Sequence, residues 1–129
     1  MKILNKLIKP VYAHCDLPCG VYDPAQARIE AESVLGIINK YAGLGETDKI
    51  RAVFIKEERL ELVKQHLWVL WTDYFRPEHL EKYPDLHQKF WLATKQAGQV
   101  KKSVDAAEAQ KLLDMIDEIA KIFWATKKA

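Results

Sequence analysis

Three side chains that ligate metals crowd into the stretch His14 to Cys19, namely His14, Cys15 and Cys19, and the 129-residue chain has no cysteine outside this pair. Thiolates are soft donors and imidazole is a borderline one, so such a cluster can close on one ion without help from distant segments. Pro18 pushes Leu17 out of the helical region and Gly20 permits positive φ. A tight loop rather than a helical turn is therefore expected to bring the two sulfurs together. A structural zinc site would ask for four side-chain ligands. Only three are clustered here, and nothing in the spacing of His66, His79 or His87 directs them at the loop. A further donor must come from elsewhere.

The rest of the chain has to position this loop, and it reads as helices. Asp23 followed by Pro24 is a helix start, an N-cap oxygen with proline at the first helical position, and Gly43 and Gly45 are placed to stop that helix. Its apolar side is expected at Ile29, Val34, Ile37, Ile38 and Tyr41. A second helix should begin near Thr47 or Asp48 and continue to about Phe75, before Pro77. Val53, Leu60, Leu67 and Tyr74 recur every seven residues along it, with Ile50, Val63, Leu70 and Trp71 beside them, the pattern of a bundle seam. An irregular corner is expected over Pro77 to Pro84, then a third helix from about Asp85 to Ala97, closed by Gly98. The fourth should run from about Ser103 or Asp105 to Lys127, with Asp105 and Glu108 as a capping pair and Leu112, Ile116, Ile119 and Phe123 on one face. Short links between such helices predict an all-α fold, an antiparallel up-and-down four-helix bundle with an irregular N-terminal metal hook.

Composition bounds the function classes. At 49% hydrophobic and 29% charged, the sequence is that of one globular domain. Its net charge of +2 comes from 20 basic against 18 acidic residues; without Lys2, Lys6 and Lys9 it becomes −1. Basic and acidic residues are interspersed rather than gathered into a one-signed stripe, which argues against nucleic acid as a partner. Two cysteines in one loop do not make a secreted disulfide scaffold. Val11 and Ala13 loosely imitate a signal-peptidase site, but Lys6 and Lys9 interrupt the apolar run of about 7 to 15 residues that export requires. The expectation is a cytoplasmic rather than an exported protein, and no segment is apolar for long enough to span a membrane.

The string His14-Cys15-Asp16-Leu17-Pro18-Cys19-Gly20-Val21-Tyr22-Asp23-Pro24 resembles the nickel hook of the nickel-containing superoxide dismutases. The likeness continues through Ala25 to Ser33, and recurs at Ile55 to Arg59, Leu70 to Phe75, Glu81 to Gln88 and Lys121 to Ala129. It implies that residues 1–13 are a propeptide and residues 14–129 the dismutase domain, with the hook over 14–22 and the helical bundle over 23–129. By this resemblance one nickel ion per subunit is held by the freed α-amine and imidazole of His14, the backbone nitrogen and thiolate of Cys15, and the thiolate of Cys19. Square-planar nitrogen and sulfur donors suit nickel(II) or copper(II) better than tetrahedral zinc. A maturation peptidase would cut between Ala13 and His14, since the amine ligand does not exist in the uncut chain.

The same resemblance assigns further roles. The Tyr22 hydroxyl would hold small anions or water near the metal, and Asp16 would shape the hook. Glu30 would accept from the ring N–H of His14, with Arg59 holding the carboxylate. Asp73 and Tyr74 would wall the hook or meet a neighbouring subunit, with core packing as their ordinary use. Superoxide is the implied substrate. A homohexamer is the implied assembly, in which neighbours shield the thiolates from oxidation, and Trp68, Trp71, Trp91 and Trp124 are candidates for its contacts. Two other readings stay open on the cysteines: a thiol redox switch built on a reversible disulfide, and a non-catalytic nickel or copper carrier.

Overall fold

A computed structural model describes residues 19–127. Residues 1–13, His14, Cys15 and Asp16, for which the sequence raises expectations, lie outside the described residues. The elements are α1 (Ala25–Tyr41), α2 (Glu46–Val69) continued by a π turn (Leu70–Tyr74), α3 (Pro77–Lys82), α4 (Leu86–Lys101) and α5 (Ala106–Lys127). Among the described residues there is no strand.

The four long helices close a ring, α1 against α2 and α5, and α4 against α2 and α5. Cross-links fix the antiparallel sense. Lys101 near the end of α4 meets Glu61 of α2 at 2.7 Å, while Trp71 beyond the end of α2 donates to His87 at the start of α4 at 2.5 Å. Gln96 of α4 reaches Glu108 of α5, and Arg28 of α1 reaches Asp117 of α5 at 2.9 Å. Leu60, Val63 and Leu67 of α2, Phe90 and Val100 of α4, and Leu112, Ile116, Ile119 and Phe123 of α5 form the sealed core.

Several expectations hold and several need correction. The Asp23 carboxylate accepts from the Ala25 N–H at 2.8 Å, and α1 ends at Tyr41, ahead of both glycines. The buried stripe of α1 is Ala27, Ala31, Val34 and Ile38, whereas Ile29 is 58% exposed. Alanines at this spacing let α1 sit close to its neighbours, so the contact face follows small residues rather than the largest apolar ones. Likewise the seven-residue seam of α2 is buried at Leu60 and Leu67 but not at Val53; nearer the helix start, Ala52 and Lys56 face inward. Gly98 does not end α4, because Ala97 and Val100 on either side of it are fully buried and their packing outweighs one unfavourable helix residue. The corner after Pro77 holds the short helix α3. Asp105 caps α5 by accepting from the Ala107 N–H at 2.8 Å, but Glu108 turns instead to Gln96.

Lys56 ties the far end of the bundle. Only 3% exposed, it donates to the carbonyls of Val100, Lys101 and Ser103 at 2.9, 2.8 and 2.7 Å, satisfying the open carbonyls where α4 ends. Burial draws its ammonium below the ordinary lysine value, with Glu57 opposing in part.

Candidate metal centre

The arm that leads into α1 begins, in the described residues, at Cys19. Its side chain is exposed, and its sulfur lies 3.4 Å from the Val21 nitrogen, whose N–H points at it. The same sulfur faces the Val21 carbonyl at 3.9 Å, so both backbone groups of Val21 hold the side chain in the loop. Gly20 then takes φ +69°, a left-handed conformation open to glycine at little cost. That bend turns the chain so that Tyr22 and the buried Pro24 fall back onto the bundle.

Tyr22 packs on Tyr74, ring centres 5.5 Å apart. Tyr74 is held from several directions. Its ring lies 4.4 Å from Phe123 and 5.8 Å from His79, nearly parallel to the latter, and the Lys127 ammonium sits 5.3 Å from its centre. Thr126 donates its own proton to the Phe123 carbonyl at 2.6 Å, so at 2.8 Å the Tyr74 hydroxyl is the donor and Thr126 Oγ1 the acceptor. The π turn sets this up. The Phe75 N–H bonds back to the Leu70 carbonyl at 3.1 Å, which widens the helix end and places Tyr74 and Phe75 side by side at the rim.

Between the arm, the π turn, α3 and the end of α5 lies a cleft of about 840 Å³, lined by Gly20, Tyr22, Asp73, Tyr74, Arg76, Glu78, His79 and Lys127 among others. Two fixed cations, Arg76 and Lys127, face it together with two carboxylates. The expected wall residues Asp73 and Tyr74 are in place. Arg76, His79 and Lys127 went unrecognised in the sequence because they come from three separate elements and no spacing links them; Pro77 breaking the long helix was the one local sign that a rim would form there.

Glu30 and Arg59 do meet: Arg59 Nη1 lies 3.1 and 3.4 Å from the two Glu30 oxygens, with Glu30 mostly sheltered. Neither lines the cleft. Fifteen positions separate Arg59 from Tyr74, about 22 Å of rise along the helix. Of the other histidines, His87 accepts from Trp71 Nε1 through Nδ1, and His66 lies in the last turn of α2. Among the described residues no cluster of three or more histidine, cysteine or acidic side chains could by itself hold a metal. Of the hook donors expected from the sequence, Cys19 is described: its side chain is exposed and its sulfur meets the Val21 N–H, a soft donor suited to the nickel ion that the resemblance implies.

The chain was compared with known proteins. The family model described as nickel-containing superoxide dismutase matches residues 9–127. A curated relative from Streptomyces seoulensis, named superoxide dismutase [Ni], is 56% identical over 131 residues, covering 98% of this chain and 100% of that one. A native nickel superoxide dismutase structure superposes with a TM-score of 0.88 at 58% identity, covering 90% of this chain and 100% of the solved one. A structure of a variant in which the histidine at the first position is replaced by alanine superposes with a TM-score of 0.81 at 55% identity, covering 83% of this chain and 99% of the solved one.

Proposed function

The chain belongs to the nickel-containing superoxide dismutases, uses nickel and disproportionates superoxide to dioxygen and hydrogen peroxide, and from that premise we propose how its own residues divide the work. His14, Cys15 and Cys19 hold the ion, through the α-amine and imidazole of His14, the backbone nitrogen and thiolate of Cys15 and the thiolate of Cys19. When bound, nickel supplies a one-electron couple that accepts an electron from one superoxide and returns it to another. Tyr22 stands where the arm meets the cleft and orients the small anion or a water with its hydroxyl. Arg76 and Lys127 raise the local concentration of anions at the mouth. Asp16 shapes the hook, and Glu30, fixed by Arg59, accepts from the His14 ring so that the imidazole keeps its orientation. The observation that carries this reading is the bend at Gly20, which delivers Tyr22 into a cleft lined by charged side chains immediately after the Cys19 sulfur.

Maturation belongs to the same proposal. Residues 1–13 are removed by a peptidase cutting between Ala13 and His14, which creates the amine ligand. Two findings support it. The solved native chain is matched whole by 90% of this one, and the remaining tenth of 129 residues is about the length that precedes His14. The solved histidine-to-alanine variant derives from a protein whose first residue is histidine. We further propose a homohexamer in the cytoplasm. Trp68, Trp91 and Trp124 remain 38%, 52% and 46% exposed in the single chain, as contacts with other subunits would require, whereas Trp71 packs on the core against Phe90. Among the described residues no helix is long and apolar enough to cross a membrane.

Cys15→Ser and Cys19→Ser, each made in the chain beginning at His14, test the ligand assignment. Nickel content should fall from one per subunit to near zero, and superoxide decay to the uncatalysed rate, with helical content unchanged. Either variant retaining stoichiometric nickel and full turnover would remove that sulfur from the site.

A further inference from the structure

His79 stands one layer behind Tyr22, and its ring is anchored through one nitrogen. Its Nδ1 accepts from the Arg76 N–H at 3.0 Å, while its backbone N–H donates to the Arg76 carbonyl at 3.0 Å, closing the start of α3. The Nδ1 bond ties the imidazole to the start of the helix. The plane lies 12° from that of Tyr74 with centres 5.8 Å apart, and it meets Phe75 edge-on at 5.7 Å. Tyr74 in turn touches Tyr22.

We propose that His79 is a positioning residue for superoxide dismutation: oriented by its bond to the Arg76 N–H, its ring is the platform that holds Tyr74 against Tyr22 and so sets the wall of the cleft. The inference rests on the reading of that cleft as the approach to nickel. Physically, the Tyr22 ring packs on the Tyr74 ring, so a Tyr74 ring that rocks moves the surface against which Tyr22 is set. A stacked aromatic neighbour is worth about 0.5 to 1.5 kcal/mol. Losing it corresponds to a roughly two- to tenfold drop in the equilibrium constant for the contact between the two tyrosines.

Two substitutions separate the ring from the cap. His79→Gln keeps an acceptor for the Arg76 N–H, the role glutamine plays in capping boxes, and loses the ring. His79→Phe restores a ring. The first readout is the ring-proton NMR cross-peak between Tyr22 and Tyr74 in the full chain without metal; the second is kcat/KM for superoxide in the nickel-loaded enzyme. The proposal expects the cross-peak and kcat/KM to fall together in His79→Gln, by roughly two- to tenfold, and at least half of each loss to be recovered in His79→Phe. An unchanged cross-peak in His79→Gln, or no recovery in His79→Phe, overturns the positioning. A weakened cross-peak with unchanged kcat/KM overturns the role in the reaction by removing the reading of the cleft beneath it.

Discussion

Cys19, Tyr22 and Lys56 show how differently single residues can be tied to their surroundings. The chemistry of Cys19 lies in its residue type and its spacing from Cys15, both legible in the sequence. Tyr22 gains its meaning from Tyr74, fifty-two positions away in sequence, and only the folded chain shows that contact. Tyr22→Phe should leave stability and nickel content unchanged and alter turnover alone, checked by metal analysis beside superoxide decay; a loss of bound nickel would make Tyr22 a holder of the hook instead. For Glu30→Ala, the partly exposed pair with Arg59 contributes about 0.5 to 1 kcal/mol, so folding should survive. The expected change is in the nickel spectrum and turnover, and constancy of both would strip Glu30 of its role. Lys56→Met breaks three charge-assisted hydrogen bonds and leaves the end of α4 uncapped, at a cost of roughly 2 to 3 kcal/mol in urea denaturation at neutral pH. Because the folded-state value is lowered, the unfolded chain binds the proton more tightly, and this residue's contribution to stability rises with pH as the ordinary lysine value of 10.5 is approached. Lys56→Met should lack that rise.

At the scale of elements, the helices were readable because apolar residues recur at helical spacing and Pro24, Pro77 and Pro84 bracket them. Their inward faces were read less well. Ile29 has the size of a core residue but points outward, since α1 approaches its neighbours over Ala27 and Ala31; side-chain volume misleads wherever helices pack closely. Val53, Ile50 and Phe54 extend the apolar pattern of α2 onto a surface that a single bundle does not cover. The π turn after Val69 had no sequence signature of its own, yet it decides where Tyr74 lies. Gly98 is the clearest misreading, a glycine inside α4 taken as its end. An added Cβ there would meet only the Lys64 ammonium, at 3.7 Å, the mobile tip of a long side chain. Gly98→Ala should accordingly stabilise the fold by about 0.5 to 1 kcal/mol, seen as a higher denaturation midpoint with an unchanged slope. A lower midpoint would mean that α4 needs the glycine for reasons beyond helix propensity.

At the scale of the whole molecule, on the proposed reading, a small bundle presents an arm whose donors are complete only after proteolysis, and the exposed tryptophans on α2, α4 and α5 meet other subunits. The nickel-loaded chain beginning at His14 should sediment as a hexamer, and a stable monomer would contradict the proposed assembly. The central claim, however, concerns one nitrogen. While residues 1–13 are attached, the nitrogen of His14 belongs to a peptide bond and a planar donor is missing. The direct measurement is nickel content and superoxide decay for two purified forms, the 129-residue chain and the chain starting at His14, loaded under the same conditions. The account predicts one nickel per subunit and rapid decay for the trimmed form, with weak binding and no catalysis for the uncut one. Equal nickel content and equal activity in both would contradict it.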